Sequence, residues 1–168
     1  MPSCLIYKIF FFINQVWDPE LYELHGGSPF STKSDGNLTD SSGTHLYLMG
    51  DVRNIMYELK NDSKWTNTIV AIASKCTELK WAHECLEKFQ LEGSQNLKSV
   101  FHPDLMEIYW DNKQRHLKVI SEKSGIQLKD MIFFDNQMDN CRDVSAFFIL
   151  KNIIIKIFIL KTIFFHQS

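Results

Sequence analysis

The chain reads as an α/β protein built on a parallel sheet with helices packed on both faces. Three observations predict it. Short continuous apolar runs alternate with helix-period stretches along most of the sequence. The runs Ile69–Ala73 (IVAIA) and Met131–Phe134 (MIFF) are apolar throughout, as strands covered on both faces must be. Three runs also end in polar chemistry: Ser74-Lys75 after the first of these, Lys113 shortly after Glu107–Trp110 (EIYW), and Asp135-Asn136 after MIFF. Open parallel sheets bind ligands in the crevice outside the carboxyl ends of their strands. A hydroxyl, an ammonium and a carboxylate are therefore expected at one pocket, where the first two suit a phosphate and the third a magnesium ion.

The elements follow in order. Residues 5–13 (LIYKIFFFI) suit a buried first strand; Lys8 interrupts them and no small-residue cleavage site follows, so a leader peptide is not expected. Residues 26–45 are rich in Gly, Ser, Thr and Asp, which is turn chemistry, and Thr32 to Asp40 with Asp35-Gly36 inside suits a hairpin tip leading to Leu46–Met49. Asp51 is placed to cap a helix with the stripe Val52, Ile55, Met56 and Leu59. After a loop over Asn61–Asn67 and the Ile69 strand, Glu78–Phe89 has Leu79, Ala82, Leu86 and Phe89 at helical spacing. Lys113–Ser124 is a further helix burying Leu117 and Ile120, and Gly125 is a suitable residue to end it. Asp139–Phe147 is the helix after the Asp135 strand.

Composition narrows the function classes. At 168 residues one domain with a real core is expected, and a net charge of −2 implies no nucleic-acid partner. Cys4, Cys76, Cys85 and Cys141 are scattered without zinc spacing, which favours reduced thiols in the cytoplasm. The six histidines, His25, His45, His83, His102, His116 and His166, form no pair at i, i+4, against a histidine metal site. From Phe147 to Phe165 the chain approaches membrane-spanning length, but Lys151, Asn152, Lys156 and Lys161 interrupt it. A lysine near the middle of a spanning helix costs about 2.5–3.5 kcal/mol, so no membrane partner is expected. Asn37-Leu38-Thr39 and Asn61-Asp62-Ser63 match glycosylation acceptors, a pattern frequent by chance and without meaning in the cytosol.

Each polar strand end also has an ordinary structural reading. Ser74 can be a turn hydroxyl, and Lys75 and Lys113 can be solvated lysines. Asp135 can cap a turn, although a carboxylate closing four apolar residues is costly without a partner. Cys76, two residues past Ser74, lacks the Gly-rich loop and Arg that a thiol phosphatase needs.

Four segments in order resemble the haloacid-dehalogenase (HAD) superfamily, and within it the small magnesium-dependent phosphatases described as protein-tyrosine-phosphatase-like. Trp17–His25 (WDPELYELH) with Ser28-Pro29-Phe30 looks like the stretch after that family's first motif. Ala73-Ser74-Lys75, with Trp81-Ala82 following, resembles its Ala-Ser-Arg motif. Ile108–Lys113 (IYWDNK) resembles Ile-Tyr-Pro-Gly-Asn/Ser-Lys, and Met131–Val144 the fourth motif with its helix. The resemblance implies a HAD-like Rossmannoid three-layer sandwich with a minimal hairpin flap, about residues 26–48, in place of a cap domain. It implies a phosphomonoester hydrolase working through an aspartyl-phosphate, on a phosphorylated small molecule or a phosphoprotein, with Mg²⁺ as cofactor. Ser74, Lys75 and Lys113 would bind phosphate, Asp135 the metal, and Asn136 would support it.

The departures lie at the ends. The family opens with Asp-x-Asp, nucleophile and acid/base, yet alignment on Trp17 puts Phe11 and Ile13 at those positions, and no carboxylate precedes Asp18. Asp18 lies past Trp17, beyond reach of the strand end. Residues 1–15 and 147–168, rich in Phe, Ile, Lys and Asn, are expected to be replaced or atypical segments flanking a phosphatase domain over 16–146. The resulting expectation is weakened magnesium binding and no appreciable turnover by this chain. The alternative is a non-catalytic phosphate-binding module, a pseudophosphatase.

Overall fold

The computed structural model describes residues 8–12, 16–135, 139, 142, 144–145 and 156–159, with 8–12, 134–135 and 156–159 described by backbone alone. Five strands form the main sheet: β1 (Lys8–Phe12), β6 (Thr68–Ser74), β7 (Met106–Ile108), β8 (Met131–Asp135) and β9 (Lys156–Ile159). Their order is β7-β6-β1-β8-β9, and every pair is parallel. Both compositionally atypical ends therefore supply strands, with β1 at the centre. Four short strands, β2 (Trp17–Asp18), β3 (Ser31–Thr32), β4 (Leu38–Thr39) and β5 (His45–Leu48), make an antiparallel sheet in the order β2-β5-β4-β3.

Strand alternation sorts the core onto two faces. On one face Val70, Ile72, Ile108 and Ile132 pack with the antiparallel sheet (Leu38, Leu46, Leu48) and with helices α1 (Val52–Asn61) and α2 (Leu79–Lys88). On the other, Ala71, Ala73, Met131 and Phe133 meet Leu117 and Ile120 of helix α3 (Lys113–Ser124) and Val144. That is the three-layer α/β arrangement, with the small alanines of β6 letting α3 approach closely. Asp139, Arg142, Val144 and Ser145 are helical, and the rest of the helix expected after Asp135 lies outside the described residues.

Several local expectations need correction. The 107–110 strand is shorter: β7 ends at Ile108, and Tyr109 makes one more bond, its N–H donating to the Ser74 carbonyl at 3.0 Å, before the chain turns away and exposes Trp110. Leu79 opens α2 41% exposed, because the helix buries the face of Ala82, Cys85 and Leu86 and its first turn overhangs that layer. Asp51 precedes α1 without capping it; its carboxylate accepts from the Asn54 side-chain amide in place of a backbone N–H. By contrast α3 begins and ends at the expected residues, with Asn112 accepting from the Arg115 N–H at 2.8 Å and Gly125 at φ 70° closing it. Among the described residues no helix is long and apolar enough to cross a membrane.

The antiparallel sheet is fastened by two carboxylates. Glu84 of α2 accepts from the Ser28 hydroxyl (2.6 Å) and the Phe30 N–H (2.9 Å), while Trp81 stands edge-on to Phe30. Gly27 is obligatory beneath that indole: its φ is +66°, and a Cβ there would lie 2.1 Å from the Trp81 ring. Asp40, buried, gathers the N–H groups of Gly26, Gly27, Ser42 and Thr44 at 2.7–3.2 Å. Burial alone would raise its pKa, but hydrogen bonds from Thr44, Ser42 and Gly27 outweigh that and hold it at about 2.

A carboxyl group depressed on folding adds stability above its ordinary pKa and loses it as pH falls through the folded value. The shift at Asp40 corresponds to about 2 kcal/mol. Urea unfolding of Asp40→Asn against the parent should therefore show a constant deficit above about pH 4 that shrinks between about pH 4 and 2. A deficit independent of pH would show that the Asp40 charge contributes nothing.

Candidate active site

The carboxyl edge of the main sheet opens into a cavity of about 440 Å³ lined by Glu20, Leu21, Tyr22, Ser74, Lys75, Cys76, Thr77, Glu78 and Trp110. Ser74 reaches it as the last residue of β6, where an extended strand passes into the loop before α2. Its carbonyl is taken by Tyr109, which fixes the strand end against the loop that carries Trp110.

Lys113 is the most telling residue. It is the first residue of α3, only 3% exposed, and its ammonium donates to the Ala73 carbonyl at 2.9 Å. Two costs meet there. A buried ammonium forfeits hydration, and a cation at a helix N-terminus opposes the helix dipole. A solvated lysine, the ordinary reading of this position, would pay neither. The ammonium is thus carried from α3 to the end of β6, one residue from Ser74.

Lys75 is exposed, with its ammonium 4.2 Å from the centre of the Trp110 ring. Lys75 and Trp110 form a cation–π pair at the mouth of the cavity. Asp135 is the last residue of β8, and its backbone is level with Ile159 of β9. Phe11 is level with Ala71 on one side and Phe133 on the other, two residues short of Asp135. Ile13 and Asn136 lie outside the described residues. Asp18 belongs to β2, and its carboxylate accepts the Tyr47 hydroxyl. The Cys76 thiol is pushed up by burial, which leaves it a poor nucleophile.

Glu20, Tyr22, Glu78 and Trp110 were not among the residues anticipated at the site. Two signals for them exist in the sequence: the Glu20–Glu23 spacing of a reciprocal cap, and Trp110 standing where the resembled motif has Pro-Gly. Glu20 and Glu23 do cap each other across the Leu21–Glu23 turn, the Glu20 N–H bonding Glu23 at 2.9 Å. Magnesium takes oxygen ligands and often only one or two carboxylates beside phosphate and water. Among the described residues no three His, Cys, Asp or Glu side chains converge on a metal position. The acids at this edge, Glu20 and Glu78 in the cavity and Asp135 at the β8 end, nonetheless offer the hard oxygen chemistry that suits the ion.

The architecture is an α/β protein with a parallel sheet, an antiparallel sheet on one face, and the Ser74 hydroxyl and the buried Lys113 ammonium both at the end of β6. The acid phosphatase family model matches residues 9–155, and the chain belongs to that family, HAD-type magnesium-dependent phosphatases that hydrolyse phosphoric monoesters. It is 28% identical over 145 residues to human magnesium-dependent phosphatase 1, covering 86% of this chain and 73% of that protein. It is 27% identical over 142 residues to a HAD-like hydrolase superfamily protein of Schizosaccharomyces pombe, covering 83% and 78%. A solved structure of the N-terminal part of a Bacteroides fragilis protein, containing a phosphatase domain complexed with Mg, aligns with 90% of this chain. This chain spans 35% of that one, at 15% identity and a TM-score of 0.47.

Removing one member of a buried polar contact leaves its partners unmatched and is destabilising. Lys113→Met should therefore unfold at a lower denaturant concentration than the parent, because the Ala73 carbonyl loses its donor. The same variant should bind inorganic phosphate about tenfold to a hundredfold more weakly, the weight of a charged hydrogen bond. Unchanged phosphate affinity in the folded variant would make Lys113 a purely structural residue.

Proposed function

We propose that this chain keeps the phosphate-holding half of a phosphomonoesterase site and lacks its nucleophile, so that it binds phosphate groups without appreciable turnover. The observation that carries this reading is Lys113, held at the end of β6 despite burial and an opposing helix dipole. Its ammonium would neutralise phosphate charge, and the Ser74 hydroxyl would donate to a phosphate oxygen. Lys75, over Trp110 at the mouth, would meet the anion as it enters. Asp135 would hold magnesium with Asn136 beside it, and the ion, when bound, would shield the charge of the phosphoryl group.

In the family mechanism one Asp attacks phosphorus and a second moves the leaving-group proton. Phe11 and Ile13 can do neither, and Asp18 is engaged by Tyr47. In a comparable covalent enzyme, loss of the nucleophile costs roughly a millionfold in kcat. The substrate class that goes with the family resemblance is a phosphotyrosine-like or sugar-type monoester, on a small molecule or a phosphoprotein. The free thiols Cys76 and Cys85 accord with a reducing, cytoplasmic setting. The second reading, a module selected for phosphate binding itself, differs only in purpose and draws on the same buried lysine.

Hydrolysis of para-nitrophenyl phosphate with Mg²⁺ tests the proposal. The chain as it stands should show no turnover, and the double variant Phe11→Asp plus Ile13→Asp should gain it. Turnover by the unaltered chain that disappears on Asp135→Ala would sink the proposal and require another nucleophile.

A further inference from the structure

The imidazole of His116 sits in α3 one turn after Lys113 and is completely buried. Both of its ring nitrogens face carbonyl oxygens: Nδ1 lies 2.8 Å from the Asn112 oxygen and Nε2 3.1 Å from the Tyr109 oxygen. Its ring also stacks on Tyr109, with centroids 4.2 Å apart and planes 23° off parallel. A neutral imidazole has one N–H and can donate to only one of these acceptors; the other contact then sets two lone pairs against each other. Only the imidazolium satisfies both.

The two carbonyls bracket the loop 109–112, which leads from β7 to α3. That loop fixes the end of β6 through Tyr109 N–H, carries Trp110 at the cavity mouth, and sets the start of the helix that begins with Lys113. We propose that His116 is a positioning residue for the phosphate site, a proton-dependent latch that holds the Tyr109–Asn112 loop through both ring nitrogens and so sets Lys113. The inference rests on the phosphate-binding reading of Lys113.

The surroundings leave the latch poised. Burial and the neighbouring Lys113 ammonium favour the neutral ring, while the two carbonyls and Asp111 favour the charged one, and the balance lies below the ordinary histidine value. Of the elements around it, β6 (TIVAIAS) brings no ionisable side chain. On the β7 side Glu107 is paired with Lys123 at 2.6 Å. Asp111 is paired with Arg115 at 2.8 Å, the Tyr109 phenol is pushed up to about 12 by burial and Glu107, and Asp104 in the turn before β7 is exposed. Protonation therefore adds one hydrogen bond to the loop and one positive charge beside Lys113. Both strengthen the hold on an anion as pH falls.

The test uses the whole chain and two readouts. Nitrogen NMR of the histidine rings, with His116 assigned by His116→Gln, should show one ring passing from singly to doubly protonated with a midpoint below the ordinary value. The Trp110 indole and Asn112 amide signals should move with that same midpoint. Sulfate, whose charge is constant over this range, then serves as the anion probe. Its affinity should rise about fivefold through the midpoint in the parent, the weight of one hydrogen bond, and stay flat in His116→Gln. A ring that keeps one tautomer throughout, or titrates without moving the loop signals, overturns the latch. Ring and loop moving together while sulfate affinity stays flat would uphold the latch and overturn the phosphate role of Lys113. Proton contacts between the stacked His116 and Tyr109 rings also assign the signal in the parent alone, so a poorly folding His116→Gln leaves the first readout intact.

Discussion

The ammonium of Lys113 on the carbonyl of Ala73 ties together the two halves of this protein that matter for function. It joins the first turn of α3 to the carboxyl end of β6, across the layer where the alanines of β6 let the helix come close. Because the group is buried, its position is set by packing; an exposed lysine on a flexible stem would sample many positions at little cost. Ser74 lies one residue beyond its acceptor, Asn112 caps the helix that bears it, and the His116 ring nitrogens face two carbonyls of the loop that leads to it.

That edge is asymmetric. On the β6–β7 side the Ser74 strand end and the Lys113 ammonium are held by a defined network of main-chain bonds. On the β1 side the central strand carries Phe11, which the family resemblance aligns with the nucleophile, and pairs on both flanks as an ordinary parallel strand. A buried central strand prefers apolar residues, so phenylalanine at that position suits the sheet.

Much of this was legible in the sequence, because it rested on local periodicity. The α3 helix follows from Leu117 and Ile120 at helical spacing and from Gly125 at its end, and the covered strand β6 from its continuous apolar run Ile69–Ala73. The hairpin around Asp35-Gly36 follows from turn chemistry, with Gly36 at φ 79°. What was not legible depends on long-range partners. Nothing local distinguishes the buried Lys113 from a solvated helix lysine, or tells that Lys75 rests on Trp110. Asp40 looks like one more loop acid until the turns at Gly27 and Thr44 are brought around it. Leu79 fits the apolar stripe of α2 by spacing, but only the overhang of that helix past the core decides its exposure.

The central claim is that a phosphate-binding edge persists in a chain without its nucleophile. Amide NMR of the unaltered protein, titrated with inorganic phosphate in the presence of Mg²⁺, tests it most directly. The account predicts shifts gathered at Ser74, Lys75, Lys113 and Asp135, with saturation and no covalent phosphoryl adduct in the intact mass. Shifts absent from that edge, or a phosphorylated chain, would contradict it.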